Sequence, residues 1–163
     1  MTKACSQSLF GLMSNEHEKW MREALAEAER GFELGEVPVG AVIVRDGSII
    51  ARGHNRREID KDPTAHAEIV AIRKAAENTG DWRLTGATIY VTLEPCAMCI
   101  GAIIESRIGR LVYAAADPRM GCTVSRANIP EDLSHISPLL VLSGIMSEES
   151  LEILARFFKS LRP

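Results

Sequence analysis

The sequence predicts an α/β protein, a three-layer α/β/α sandwich around a mixed five-stranded sheet. Apolar, β-branched runs of strand length alternate along the chain with amphipathic segments of helical length. At 163 residues, 46% of them hydrophobic and 25% charged, the chain has the size and composition of one globular domain. About twenty residues separate the last two predicted strands, which is enough for a crossover between parallel neighbours.

The first predicted helix follows a short N-terminal segment. We expect residues 1–13 to form a disordered tail, because they show no clear hydrophobic period, and residues 14–163 to form the single domain. Ser14 and Asn15 are both favourable N-cap residues for a helix. Apolar residues recur at helical spacing from Trp20 onward, whereas the opposite face is acidic. The domain therefore begins with an amphipathic helix.

A hairpin follows in VGAVIVRDGSIIARGHN. Residues 39–44 and 48–53 are rich in β-branched and small apolar side chains, as strands are. Asp46-Gly47 between them is a strong signal for a hairpin turn. An antiparallel pair is expected here.

Helices and strands then alternate to the end of the chain. DPTAHAEIVAIRKAAEN predicts a helix from an N-cap at Thr64 to about Glu77. Pro95 suits the first position of the next helix, over residues 96–105, because it lacks only an N–H that would be unpaired there. The last helix is predicted over residues 147–161. The third, fourth and fifth strands are ATIYVTL, GRLVYAAA and PLLVLS.

Charge and hydropathy exclude several classes of function. The net charge of −3 argues against a protein that coats nucleic acid through bulk electrostatics, although a local basic patch is compatible with it. The longest apolar stretch, VPVGAVIV, is far too short to span a bilayer, and the N-terminal segment is a poor signal peptide. We therefore expect a cytoplasmic protein with no membrane partner. In that reducing setting, a close cysteine pair is more often catalytic or metal-binding than a disulfide.

The cysteine pair in TLEPCAMC, with HAE thirty positions earlier, predicts a catalytic zinc site with one ion per chain. The positive end of a helix favours a thiolate and disfavours an imidazolium, so His66, Cys96 and Cys99 at helix starts are suited to bind a metal. Three protein ligands leave one coordination position open, which is typical of catalytic zinc. Glu68 lies too close to His66 along the helix to be a natural fourth ligand, and we predict that it carries protons.

Two other interpretations of these residues are open. A structural zinc would need a fourth donor, for which Cys122, His54 and His135 are candidates, but none belongs to a second cysteine pair. A thioredoxin-like redox pair would leave His66 and Glu68 without a role. H-x-E alone is a weak signal and P-C-x-x-C a moderate one, whereas the two together favour catalytic zinc strongly.

This combination resembles the zinc deaminase signature of the cytidine/deoxycytidylate deaminase-like superfamily. Within it, the chain is most similar to the bacterial tRNA adenosine deaminases, from about Glu16 to Arg162. The segments that carry the resemblance are EVPVGAV at 36–42, GHN at 53–55, DPTAHAEI at 62–69 and TLEPCAMCIGAIIESRIGRLVY at 92–113. Weaker support comes from DPRMGC at 117–122 and FFKSLR at 157–162.

The resemblance implies a homodimeric enzyme that deaminates adenosine to inosine at the wobble position of a tRNA. His66, Cys96 and Cys99 would bind zinc, and Glu68 would shuttle protons. Asn55 would contact the base or ribose of the target nucleotide, although by itself it reads as a turn residue. Asp117 would contact RNA beside the target, although an Asp before Pro is also an ordinary turn residue. Basic candidates for RNA contacts are Arg119, Arg156, Lys159 and Arg162.

One loop departs from the family pattern, which bears on the substrate. After Asp117 such enzymes usually continue with a glycine-rich stretch ending in Gly-Ser, whereas residues 121–126 read GCTVSR. A free-base or nucleoside deaminase acting on cytosine, guanine or a relative is therefore an alternative with the same chemistry. A non-catalytic, zinc-stabilised binding module is an alternative of another class.

Overall fold

A five-stranded mixed sheet lies at the centre of the computed structural model, which describes the backbone of residues 3–162 and the side chains of residues 15–162. Its strands are β1 Gly40–Arg45, β2 Ser48–His54, β3 Thr88–Leu93, β4 Arg110–Ala115 and β5 Leu140–Ser143. Their order across the sheet is β2-β1-β3-β4-β5. β1 is antiparallel to β2 and β3, whereas β3, β4 and β5 are parallel. The predicted fold class and the predicted parallel pair are confirmed.

Helices cover both faces of this sheet. They are α1 Lys3–Glu33, α2 Arg57–Asp60, α3 Ala67–Thr79, α4 Ala97–Glu105, α5 Ile129–Asp132 and α6 Ser147–Ser160. α1 and α6 contact each other on one face, and α3 and α4 contact each other on the other, which gives three layers. No helix within residues 3–162 is both long and apolar enough to cross a membrane.

The central strands bury both of their faces because each face meets a layer of helices. Successive side chains of a strand point to opposite sides, so Ile43 and Ile89 join the core under α3 and α4. Val42 and Tyr90 join the core under α1 and α6. Apolar side chains on both sides of β1 and β3 fix their register, since a slip of one residue would exchange the two faces.

The first helix is longer than the sequence predicted. We expected it to begin at Ser14 or Asn15 after a disordered tail, but α1 begins at Lys3, so residues 3–13 are helical. Residues 1 and 2 of the predicted tail lie outside the described residues. The segment contains no proline, and inside a helix Ser and Asn cost only a few tenths of a kcal/mol relative to Ala. Two good N-cap residues therefore do not force a helix to begin.

The starts of α3 and α4 are each displaced slightly from their predicted positions. Thr64 is not the N-cap of α3, because its hydroxyl donates to Asp62 Oδ1 at 2.7 Å and completes a turn before the helix. His66 occupies the N-cap instead. Likewise Pro95 precedes the N-cap of α4, which is Cys96. The carbonyl of Pro95 accepts the N–H of Cys122 at 2.9 Å, so Pro95 is tied to the loop that follows β4.

α1 packs directly against the backbone of β1 at Gly40. A Cβ atom on Gly40 would lie 2.0 Å from the carbonyl oxygen of Ala24 and 2.4 Å from the amide nitrogen of Ala28. Both atoms belong to the α1 backbone, which cannot yield as a side chain can. The glycine is required here by the close approach of helix and strand.

We predict that Gly40→Ala destabilises the fold, because α1 must move away from the sheet to admit a methyl group. The free energy of unfolding, measured by urea denaturation, should fall by about 3 kcal/mol, at the upper end of overpacking costs. Gly109→Ala is the control, since a Cβ atom there meets nothing within 4 Å. Its effect should stay within about 0.5 kcal/mol. Equal stability of the two variants would contradict the close packing of α1.

Candidate active site

One edge of the sheet carries the residues predicted to be functional. Because of the strand directions, the carboxyl ends of β2, β3 and β4 and the amino end of β1 meet there. A cavity of about 540 Å³ lies beyond this edge, within the usual size range of small-ligand sites. Its lining includes Val39 before β1, Asn55 after β2, Cys96 after β3 and Asp117 after β4.

The three predicted metal ligands lie together at this cavity. His66 and Cys96 are the N-cap residues of α3 and α4, and Cys99 lies in the first turn of α4. The Nδ1 atom of His66 lies 3.7 Å from Cys96 Sγ and 3.5 Å from Cys99 Sγ. Zinc bonds of about 2.3 Å to sulfur and 2.0 Å to nitrogen, at a tetrahedral angle, would separate nitrogen from sulfur by about 3.5 Å. These donors therefore fit a zinc ion.

Proton sharing among the same three side chains is consistent with a cation site. A hydrogen bond from the Cys99 thiol, helped by His66, lowers the pKa of Cys96 to about 4. The same bond to Cys96 raises the pKa of Cys99, and the contact with Cys96 raises the pKa of His66. The group thus holds protons that a bound metal ion would displace. Cys96 and Cys99 are free thiols, so they do not form a disulfide.

The candidates for a fourth metal ligand do not join this group. Among the described residues, the cluster of metal-binding donors comprises His66, Cys96 and Cys99. His54 Nδ1 contacts Glu27 Oε2 at 3.1 Å, and the Cys122 thiol donates to the Met120 carbonyl at 3.3 Å. Among the described residues the site thus offers three donors, the number typical of catalytic zinc, and lacks the fourth donor that a structural zinc site needs.

Glu68 is buried beside these donors and lines the cavity. It lies in the first turn of α3 and is not one of the clustered donors. Burial raises the pKa of its carboxyl to about 7. A carboxyl group whose pKa is near neutral can both accept and release a proton, which suits a general acid–base residue.

Asn55 is held by a buried acid that the sequence analysis missed. Glu36 is fully buried, and its carboxylate accepts the Asn55 side-chain N–H at 3.2 Å and the backbone N–H groups of Glu58 and Ile59 at 2.9 Å. A carboxylate can only accept, so the nitrogen of Asn55 must face it. The Asn55 Oδ1 atom is buried and has no hydrogen-bond partner among the described residues. Asn55 therefore offers an acceptor to a ligand in the cavity.

Asp117 is both a turn residue and a cavity residue. Its Oδ1 atom accepts the N–H groups of Arg119 and Met120 at 2.9 and 3.2 Å, as in an Asx turn. Its own N–H donates to Glu94 Oε2 at 3.0 Å. Burial by itself raises the pKa of Glu94, but hydrogen bonds from Ser125 and its neighbours lower this pKa to about 2. Glu94 was also missed by the sequence analysis.

The basic candidates for RNA contacts occupy different environments. Arg119 lines the cavity mouth. Arg156 donates to Glu29 at 2.7 Å and stacks over the Phe32 ring at 5.1 Å, so much of its charge is already paired. Lys159 and Arg162 are exposed at the end of α6. Phe158 of α6, which is 46% exposed, lines the cavity as well. In the sequence, the motif FFKSLR was the feature that indicated an aromatic residue at the cavity.

The known proteins that this chain resembles are deaminases. The model of the MafB19-like deaminase family matches residues 15–162. The tRNA-specific adenosine deaminase of Bacillus subtilis is 46% identical over 145 residues, which are 89% of this chain and 90% of that protein. A structure from studies of A-to-I editing by tRNA:A34 deaminases at the wobble position of transfer RNA matches with a TM-score of 0.81. It is 48% identical, over 83% of this chain and 99% of that chain.

A guanine deaminase is also similar over part of the chain. The structure of guanine deaminase from Bacillus subtilis matches 61% of this chain and 64% of that one, with 45% identity and a TM-score of 0.59. The matches agree on hydrolytic deamination and differ in the substrate that they name. The resemblance predicted from the sequence is confirmed, and the chain belongs to the MafB19-like deaminase family.

Proposed function

We propose that this deaminase converts adenosine to inosine at the wobble position of a tRNA and depends on zinc. The observation that carries the proposal is the set of His66, Cys96 and Cys99 at two helix starts, beside the buried Glu68 in a cavity of about 540 Å³, which is large enough for a nucleotide. The 46% identity to a tRNA-specific adenosine deaminase over 89% of the chain supports the choice of substrate.

His66, Cys96 and Cys99 would hold one zinc ion per chain. When bound, the ion supplies a water molecule whose pKa is lowered to about 7. The protein contributes two thiolates and one imidazole at the positive ends of α3 and α4, which favour thiolates. Since each helix carries part of the ligand set, the metal would also join the two helices.

Glu68 would move the proton during the reaction. Its carboxylate accepts a proton from the attacking water and delivers it to the ring nitrogen beside the reacting carbon. It then takes the remaining proton from the hydroxyl group that has added to this carbon and transfers it to the amino group. The C–N bond breaks, ammonia leaves and the carbonyl group of the product forms. Burial keeps this carboxyl out of bulk water, and its raised pKa lets it serve in both directions.

The remaining cavity residues would hold the nucleotide. An RNA base has to be extruded from its stack to reach a buried site, and the Asn55 acceptor and Asp117 lie where they could contact it. Phe158 presents an exposed ring on which a neighbouring base can stack. Arg119, Lys159 and Arg162 are the proposed phosphate contacts, with Arg156 as a further candidate that is paired to Glu29.

A free purine deaminase is the second candidate function. The match to a guanine deaminase at 45% identity favours it, as does the altered loop GCTVSR beside the cavity. The deaminase family match argues against the non-catalytic zinc module, which would have no use for a buried Glu68. Measuring inosine in a tRNA stem-loop and ammonia release from free guanine separates the two enzymatic candidates.

We also propose a cytoplasmic homodimer with residues 14–163 as its deaminase domain. The similarity to a bacterial tRNA-specific relative supports a cytoplasmic setting. Met98 and Val124 expose large apolar side chains that a second subunit could cover. The family match over residues 15–162 supports the extent of the domain. Analytical ultracentrifugation would test the dimer.

We predict that Cys99→Ala loses nearly all of its zinc, because two remaining ligands are too few for a stable site. Metal analysis of the purified protein should find about one zinc per chain before the change and close to none after it. The melting temperature should fall with the metal, since a ligand that binds only the folded state stabilises it. Cys122→Ala is the matched control and should retain its zinc. Full zinc in Cys99→Ala would remove the basis of the assignment.

Glu68→Gln should retain zinc and fold but lose activity, because the amide cannot carry a proton. We expect the rate to fall by roughly 10²- to 10⁴-fold, the usual contribution of general acid–base catalysis. Glu77→Gln, an exposed change on the same helix, should leave the rate within about twofold. Loss of zinc in Glu68→Gln would instead make Glu68 a metal ligand.

We predict that activity on a tRNA substrate decreases as the salt concentration rises. If several phosphates are bound, kcat/KM for an anticodon stem-loop should fall by roughly 0.7 to 0.9 log units per tenfold increase in salt for each contact. Arg119→Ala should reduce this slope by about one contact without changing zinc content. Arg83→Ala is the control, because Arg83 precedes β3 and so lies at the opposite edge of the sheet. Ammonia release from free guanine that is insensitive to salt, with no inosine in any tRNA, would favour the second candidate.

A further inference from the structure

The loop of residues 117–125 lines one side of the cavity with residues 117–120, and the buried side chain of Glu94 lies against the loop. Glu94 is 2% exposed. Its backbone N–H donates to the Ala115 carbonyl at 2.8 Å, which extends the pairing of β3 with β4 by one residue. The carboxylate is therefore anchored to the central sheet. The proposed proton route does not use it.

Six hydrogen bonds from the loop converge on this carboxylate. The backbone N–H groups of Thr123, Val124 and Ser125 donate to Oε1 at 3.0 to 3.1 Å, and the Thr123 hydroxyl donates to it at 2.7 Å. The Asp117 N–H donates to Oε2 at 3.0 Å, and the Ser125 hydroxyl donates to the same oxygen. Successive N–H groups aimed at one point form an anion-binding concavity, which the chain fills with its own carboxylate.

The residue types of GCTVSR fit this arrangement. A Cβ atom on Gly121 would lie 2.2 Å from Glu94 Oε2 and 2.6 Å from the Asp117 carbonyl oxygen, so a side chain there would displace the loop. Thr123 and Ser125 add two hydroxyl donors to the backbone donors. The segment that departs from the glycine-rich family pattern is therefore fixed in place by side chains as well as by backbone.

We propose that Glu94 is a positioning residue for the substrate, acting through the loop and not on the reacting atoms. It fixes the loop so that Asp117, Arg119 and Met120 form a wall that faces the nucleotides next to the target base. This inference rests on the proposed function, since a free base has no neighbouring nucleotides. A preformed wall lowers the ordering cost of binding, so its loss raises KM more than it lowers kcat.

The sharpest test removes the two hydroxyl donors. Thr123→Val with Ser125→Ala leaves Glu94, the metal donors and every backbone N–H in place. We expect KM for an anticodon stem-loop to rise about tenfold, kcat to stay within about twofold, and zinc to be unchanged. The amides of residues 123–125 should exchange hydrogen faster than in the unchanged protein.

A second variant acts on the carboxylate itself. Glu94→Gln keeps the shape of the side chain but replaces one acceptor by a donor that faces other donors. KM should rise about 10- to 100-fold, with zinc retained. Thr79→Val is the control, because its hydroxyl donates to the Ala75 carbonyl at 2.8 Å at the end of α3, away from the cavity. It should lower the melting temperature and leave KM unchanged.

Two results would overturn the inference. Fast exchange at residues 123–125 with an unchanged KM would mean that the order of the loop does not matter for the substrate. Unchanged exchange in Glu94→Gln would mean that the carboxylate does not hold the loop. If Glu94→Gln does not fold, the KM and the hydrogen exchange of the variant with Thr123→Val and Ser125→Ala test the inference.

Failure of the proposed function is recognised separately, as the absence of inosine in any stem-loop with the unchanged protein. The exchange measurement needs no substrate and still shows whether Glu94 holds the loop. The positioning role would then fall together with the proposed function, since a free base has no neighbouring nucleotides to position.

Discussion

The contact between the His66 imidazole and the two sulfur atoms of Cys96 and Cys99 is the interaction on which the site depends. It joins side chains 30 and 33 positions apart along the chain at 3.7 and 3.5 Å. This is achieved because α3 and α4 both begin at the edge where β2 and β3 end. A displacement of either helix by one turn, about 5.4 Å, would separate the donors. The packing of both helices on the sheet is thus also a constraint on the chemistry.

Three buried carboxylates around the cavity differ in role because they face different partners. Glu68 faces few donors, so burial dominates and raises its pKa. Glu94 faces a row of N–H and hydroxyl donors, which keep it ionised. Glu36 accepts hydrogen bonds from the Asn55 amide and from two backbone N–H groups of α2. One residue type can therefore carry protons, anchor a loop or orient an amide, according to the number of donors that it meets.

The clustering of His66, Cys96 and Cys99 could be predicted from the sequence because it depends on local spacing and on the starts of two helices. The strands could be predicted because β1 and β3 are continuous apolar runs of strand length, buried on both faces. Glu36 and Glu94 could not, since their partners lie 19 to 31 positions away and are mostly backbone N–H groups. No side-chain pattern records such contacts. The start of α1 was mistaken for the related reason that capping residues permit a helix end but do not impose one.

The buried Asn55 Oδ1 has no hydrogen-bond partner among the described residues, so as a substrate contact it would select its ligand by exclusion. A ligand that brings a donor to this atom satisfies it, whereas a ligand without one leaves a desolvated acceptor unmatched, at a cost of roughly 1–3 kcal/mol. That cost corresponds to about 5- to 150-fold in affinity. Because Glu36 holds the amide nitrogen, Asn55 cannot rotate to offer a donor in its place. If Asn55 contacts the substrate as we propose, a competing molecule of suitable shape but with an acceptor at this position would bind less tightly by this penalty, and the pocket would discriminate between the two.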